Sequence, residues 1–258
     1  MTRRTPFVTL LVLASFANSA SAEEPTERFL VPIASTPIPG AHGSLWETEL
    51  WYRNDSDVPT AVAPQVDSDV PPTRGVTLPY FLFENRDRLR GLFLHVDARA
   101  ADGMRFHVRI RDTSRSNESW GTELPVVRER DFFGCAIPSA QACSRSLSLL
   151  SVPTDVRFRV ALRIYEAALE GRGRVRVTIH RNTGDEVLGS AELDLPVAGV
   201  PAFAPGFAQI LSLRDAFPAI AAAERVRISI EPPTPGARFW AFVSVTNNET
   251  QQVTTITP

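Results

Sequence analysis

The sequence predicts an all-β protein, built as two tandem antiparallel β-sandwiches with helix confined to short turns. Segments that alternate apolar and polar residues with a period of two recur along the chain, as half-buried strands require. Turn residues punctuate them at sandwich-like intervals, in a chain of 21 prolines and 14 glycines. The segment that closes the first half also returns about 130 residues later, a spacing that means whole-domain duplication and not a solenoid of short repeats.

The chain begins with an export pattern. Arg3 and Arg4 precede the uncharged apolar run Phe7 to Phe16, and Ala20-Ser21-Ala22 supplies the small-x-small site for cleavage between Ala22 and Glu23. The run is far shorter than the roughly 20 residues that span a bilayer. Thr5-Pro6-Phe7 fits the twin-arginine route poorly, and no cysteine follows the cleavage site to carry a lipid. The expected division is residues 1–22 as signal peptide, 23–144 as the first sandwich and 145–258 as the second. The mature chain is expected to be secreted or periplasmic, without membrane insertion.

Gly43 to Asn54 opens the first half, and Thr154 to Arg163 takes the same place in the second. Strict alternation puts Val156, Phe158, Val160, Leu162 and Ile164 on a buried face and Arg157, Arg159 and Arg163 on the other. The closers are Met104 to Arg111 and Ala237 to Val245, each followed by a polar turn and a short last strand. Between them, a strand is expected near Val58–Val66. The loop Ala98 to Gly103 is expected to join Leu92–Val96 and Phe106–Ile110 as a hairpin. Asn182 to Glu186 should join Arg174–His180 to Val187–Leu195. Short helical stretches are expected at Glu84 to Arg90 and at Leu211 to Ala223, the latter interrupted by Pro218.

At these residues the chain resembles the tandem Ig-like modules of secreted bacterial proteins. The likeness lies in Val31-Pro32, Pro39-Gly40-Ala41, Gly43-Ser44-Leu45-Trp46-Glu47-Thr48-Glu49-Leu50 and Asn54 at the start. At the end it lies in Trp240-Ala241-Phe242-Val243-Ser244-Val245-Thr246-Asn247-Asn248-Glu249-Thr250. It covers nearly all of the mature chain. The second opener departs from the pattern at Arg157 and Phe158. The resemblance implies an Ig-like fold and an exported location, and it brings no catalytic residues.

The chemistry legible in the residues is sparse. A net charge of −2, more acidic once Arg3 and Arg4 leave, gives no global attraction to nucleic acid or anionic lipid. Cys135 and Cys143 are the only cysteines and, in an exported chain, are expected to form a disulfide; a redox or metal pair is the alternative. Arg157, Arg159, Arg163, Arg172, Arg174 and Arg176 suggest a basic surface for an anionic glycan. A turn centred on Gly184, however, sets Arg174 opposite Asp194 and Arg176 opposite Glu192, so a solvated, self-neutralised face is the expectation. The acidic loops at Asp55 to Pro59 and Asp67 to Pro71 would lie at opposite ends of one strand, too far apart to share calcium. His95, Asp97 and His107 would share the outward face of the expected hairpin, where a metal is the functional reading and solvation the ordinary one.

No nucleophile elbow, zinc-protease helix or phosphate loop is present in the sequence, and no cofactor is expected. Trp46 and Trp240 are read as core, while Trp51 falls on the opposite parity to Trp46 and should be exposed. The expected function is non-enzymatic, in surface interaction, adhesion or spacing, with an unidentified protein or glycan as partner. The alternatives are a carbohydrate-binding module using Trp51 and Trp120, or a hydrolase with an acidic cleft between the modules.

Overall fold

The computed structural model describes residues 25–34, 37–40, 43–64, 69–80, 90–114, 121–134, 146–167, 173–196, 204–232 and 237–258. They are predominantly β, as the alternation predicts. The first half holds β1 (Thr26–Val31), β2 (Ile38–Pro39), β3 (Leu45–Asn54), β4 (Thr77–Tyr80), β5 (Leu92–Asp97), β6 (Met104–Asp112), β7 (Thr122–Leu124), β8 (Val127–Arg128) and β9 (Phe133–Gly134). The second holds β10 (Leu147–Pro153), β11 (Phe158–Glu166), β12 (Gly173–Arg181), β13 (Val187–Leu195), β14 (Gly206–Ile210), β15 (Arg225–Glu231), β16 (Arg238–Asn247) and β17 (Val253–Ile256). A single α-helical turn, α1 (Leu213–Ala216), precedes a 3-10 turn that starts at Pro218, inside the stretch expected to be helical. Glu84 to Leu89 of the other expected helix lies outside the described residues.

The two halves share one pattern of strand pairing. In the first, β4, β3, β6 and β7 form an antiparallel sheet in that order, with β2 on the same edge as β4; in the second, β14, β11, β16 and β17 do the same. We refer to these as the first and second large sheets. Opposite them, β1 pairs with β5 as β10 pairs with β15. In the second half the β12–β13 hairpin extends that opposing sheet beside β15. Among the described residues the first half has isolated bridges there, Thr60 with Thr73 and Ala63 with His95, in place of the strand expected near Val58–Val66, whose residues 65 and 66 lie outside the described residues. The expected openers are thus β3 and β11, and the closers β6 and β16.

The turn at Gly184 holds the expected register. Arg174 lies opposite Asp194 and Arg176 opposite Glu192, with ion pairs of 2.8 Å in both cases. Val175, Val177 and Ile179 point into the core. The expected hairpin of β5 and β6 does not form. β5 pairs with β1, and β6 with β3, so the loop between them crosses from one sheet to the other. A short loop between two amphipathic strands suits either a hairpin or an arch. The arch is fixed by burial of Ala100 and Ala101 and by Gly103, which packs on Ser56 where a Cβ would come within 2.4 Å of the backbone. His95 and Asp97 therefore sit on a different sheet from His107, and the proposed metal trio is not assembled.

Asn54 explains the asparagine that ends the first opener. Buried at the end of β3, it donates to the carbonyls of Val58 and Thr73 and accepts from Ser56, which folds the acidic loop behind it. Asp55 and Asp57 are each paired with an arginine, Arg53 and Arg74, at 2.5 Å. Asp67 lies outside the described residues.

The halves do not keep separate cores. On β16, Phe239, Ala241, Val243 and Val245 face the second half's own core, while Trp240 and Phe242 join the core of the first half. Tyr165, Ala167 and Phe207 cross over with them. Around Tyr165, Trp240 and Phe242 the second large sheet is therefore buried on both faces. β9 adds to this union: it lies within the expected first module, yet its Phe133 and Gly134 pair with Phe239 and Arg238 of β16. Gly134 has φ of +103°, and a Cβ there would meet the Ala237 carbonyl at 2.0 Å, so the crossing needs glycine.

Candidate functional site

The seam between the halves runs along the outward face of β11, where the alternate residues Arg159, Ala161, Arg163, Tyr165 and Ala167 meet the first half in turn. At the Ala167 end it is clamped by ion pairs. Arg28 of β1 reaches Glu129 with two hydrogen bonds, Nε to Oε2 at 2.5 Å and Nη2 to Oε1 at 2.8 Å, and gives another to the Ala167 carbonyl. Arg238 of β16 reaches the same Glu129 at 3.2 Å and also donates to its main-chain carbonyl. The Arg28 guanidinium lies 4.5 Å from the ring centre of Phe93. With all three side chains largely buried, the carboxylate is shared by two cations from opposite halves, an arrangement that holds one relative placement of the sheets.

Next along the strand the seam is sealed by aromatic rings. Tyr165 and Phe242 stack in parallel planes with centroids 6.2 Å apart, Phe207 lies 5.3 Å from Tyr165, and Trp240 lies 5.6 Å from Phe242. Such contacts add to the burial itself. The Tyr165 hydroxyl finds a partner across the seam by donating to the Pro32 carbonyl at 2.5 Å. Burial holds its pKa above the usual tyrosine range.

Beyond Tyr165 the seam opens into a cleft of about 410 Å³, within the range of small-molecule sites. Its floor is the second large sheet, with Arg159, Ala161 and Arg163 of β11 facing Thr246, Ser244 and Phe242 of β16. Its roof is the end of the first large sheet that the β1–β5–β8 sheet leaves uncovered, with Trp46, Ile110 and Leu124. Ile33, Ile38 and Pro39 close one side. Trp46, expected as core, is instead a half-buried wall of this cleft, with its indole N–H donated to Ser44 Oγ at 2.9 Å.

Arg163 is the inward charge of the floor. Its Nη1 donates to Ser244 Oγ at 2.8 Å, and its guanidinium lies 5.8 Å from the Phe242 ring centre. Its Nε is buried without a hydrogen-bond partner, and no carboxylate among the described residues pairs with it. Desolvation holds its pKa below the usual arginine range. Arg159, four residues earlier, is exposed at the rim. The expectation of one solvated, self-neutralised arginine face is therefore corrected. Arg174 and Arg176 form such a face on β12, but Arg163 is turned into the seam because β11 carries a second buried face. Arg172 lies outside the described residues. The described lining of the cleft holds arginines and no carboxylate, so it does not supply the acidic cleft a hydrolase was expected to have.

The other candidates are placed as follows. Trp51 is 42% exposed on the outer face of the first large sheet, opposite His107 on one side and Pro79 on the other. Polar side chains lie around it, with Arg111 bonded to Glu49 at 2.9 Å and His107 beside Glu123 at 3.6 Å. Trp51 and Trp46 point to opposite faces of β3, so they do not form one site. Trp120, Cys135, Cys143, Ala22 and Glu23 lie outside the described residues. Val156, expected on the buried face, is 68% exposed because β11 begins only at Phe158. Among the described residues no three His, Cys, Asp or Glu side chains gather as a metal site.

The cleft was missed because Arg159 and Arg163 read as an ordinary solvated face. A signal was present in β16, where Phe239 to Val243 is apolar at every position; a strand buried on both faces reads as a continuous run and not as an alternation. Comparison with protein-family profiles and with curated proteins gives no match, so the functional reading stands on this geometry.

Proposed function

We propose that the chain is an exported, non-catalytic protein of two Ig-like sandwich modules that serves as a rigid binding and spacing element at the cell surface. The observation that carries this reading is the seam. Two halves of the same strand pairing are fastened by a shared aromatic core and a shared carboxylate, which fixes the distance and orientation between their far ends. A spacer needs that rigidity, and a flexibly linked pair would lack it. The cleft that remains offers apolar walls and arginines, which suit binding and not acid–base chemistry.

Fractionation and N-terminal sequencing test the location, with Glu23 expected as the first residue of a periplasmic or surface-exposed protein. Crosslinking on intact cells is expected to capture a surface protein or glycan. A cytoplasmic protein with its leader intact, or turnover of ester or glycoside substrates by the purified chain, would overturn the reading.

The exposure of Trp51 favours a second reading, a glycan-binding face on the first large sheet. Binding on a glycan array that disappears in Trp51→Ala supports it, and a blank array counts against it.

A further inference from the structure

We infer that the cleft between the halves is a binding site for a small amphipathic organic anion, an alkyl carboxylate, whose head group pairs with Arg163 and whose chain lies between Trp46, Leu124 and Phe242. Charge complementarity selects this occupant. Burying an arginine costs free energy unless its donors are used, and Arg163, a lining residue of the cavity, donates to Ser244 while its Nε stays buried and unused. No carboxylate among the described residues neutralises it, and an anion from outside would do so. An inorganic ion would satisfy the guanidinium but leave the apolar walls, Ile33, Ile38, Ile110 and Leu124 among them, facing water. A neutral hydrocarbon would do the reverse. A carboxylate with a chain of about ten carbons satisfies both, and a cleft of this volume holds it. Arg159 stands at the exposed rim, about 13 Å along the strand at 3.3 Å per residue, where it draws anions in without sharing the head group.

This goes beyond the spacer reading and is tested separately from it, on the purified chain by titration calorimetry. The probes are dodecanoate, dodecanol and acetate. Dodecanoate is expected to bind at least about tenfold more tightly than dodecanol, the ratio that a charge-assisted hydrogen bond supplies, and acetate is expected to show no measurable binding. Arg163→Met, close in volume and free of an unpaired charge, should weaken dodecanoate at least about tenfold while leaving dodecanol unchanged. Thr255→Trp, which fills the cleft from the edge strand β17, should remove binding of both. Arg159→Ala should lower affinity only a few-fold and reduce its salt dependence. The inference is overturned if dodecanoate does not bind, if dodecanol binds equally well, or if Arg163→Met leaves dodecanoate affinity as it was.

Discussion

The two large sheets have the same strand order and opposite outer faces. On the first, β3 and β6 present Glu47, Glu49, Trp51 and Arg53 against Arg105, His107, Arg109 and Arg111, a charged surface open to water. On the second, the corresponding strands present Ala161, Arg163 and Tyr165 against Ser244, Phe242 and Trp240, and the first half covers them. The large-sheet pairing occurs twice, and side-chain chemistry on a single face decides which sheet is a surface and which is a seam. The outer-face residues decide what the sheet can pack against.

The sharpest way to break this comparison is to truncate equivalent faces. Trp240→Ala removes a ring from the seam and should cost about 3–5 kcal/mol in urea unfolding, as for other buried aromatic truncations. A loss below about 1 kcal/mol would mean the seam is not a core.

Glu166 sharpens it through pH. Burial at the end of β11 pushes its carboxyl up to about 7 from 4.5, opposed by the Gly173 N–H it accepts. A folded-state pKa above the unfolded one makes this group a liability that is absent below pH 4.5 and complete above about 7. Stability should therefore fall as pH rises between those values, by about 3 kcal/mol. Glu166→Gln should flatten that segment of the pH profile; an unchanged profile would remove Glu166 as its cause.

Glu129→Ala leaves Arg28 and Arg238 facing each other across the seam. Full burial would make the loss about 3–5 kcal/mol and full exposure nearly nothing, so partial burial sets about 2 kcal/mol. The cost should persist in about 0.5 M salt, on the order of ionic strength that screens surface pairs. Trp51→Ala, on the open face, should change stability by no more than about 0.5 kcal/mol.

What was legible in the sequence follows from how local each signal is. The β12–β13 register could be read because a two-sided charge pattern and one turn fix it within 22 residues, from Gly173 to Asp194. The equivalence of β3 with β11 and β6 with β16 could be read because each strand carries its own alternation. The β5–β6 arch could not, since the choice between hairpin and crossing depends on what packs beneath Ala100 and Gly103. Nor could the cleft: Arg163 on a strand looks solvated until another sheet is laid over it, and that sheet comes from the other end of the chain.

Differential scanning calorimetry of the intact chain tests most directly whether the halves form one unit. A shared aromatic core and a shared carboxylate predict a single transition whose calorimetric and van't Hoff enthalpies agree, and which Trp240→Ala moves as a whole to lower temperature. Two resolved transitions, only one of them shifted by Trp240→Ala, would contradict it.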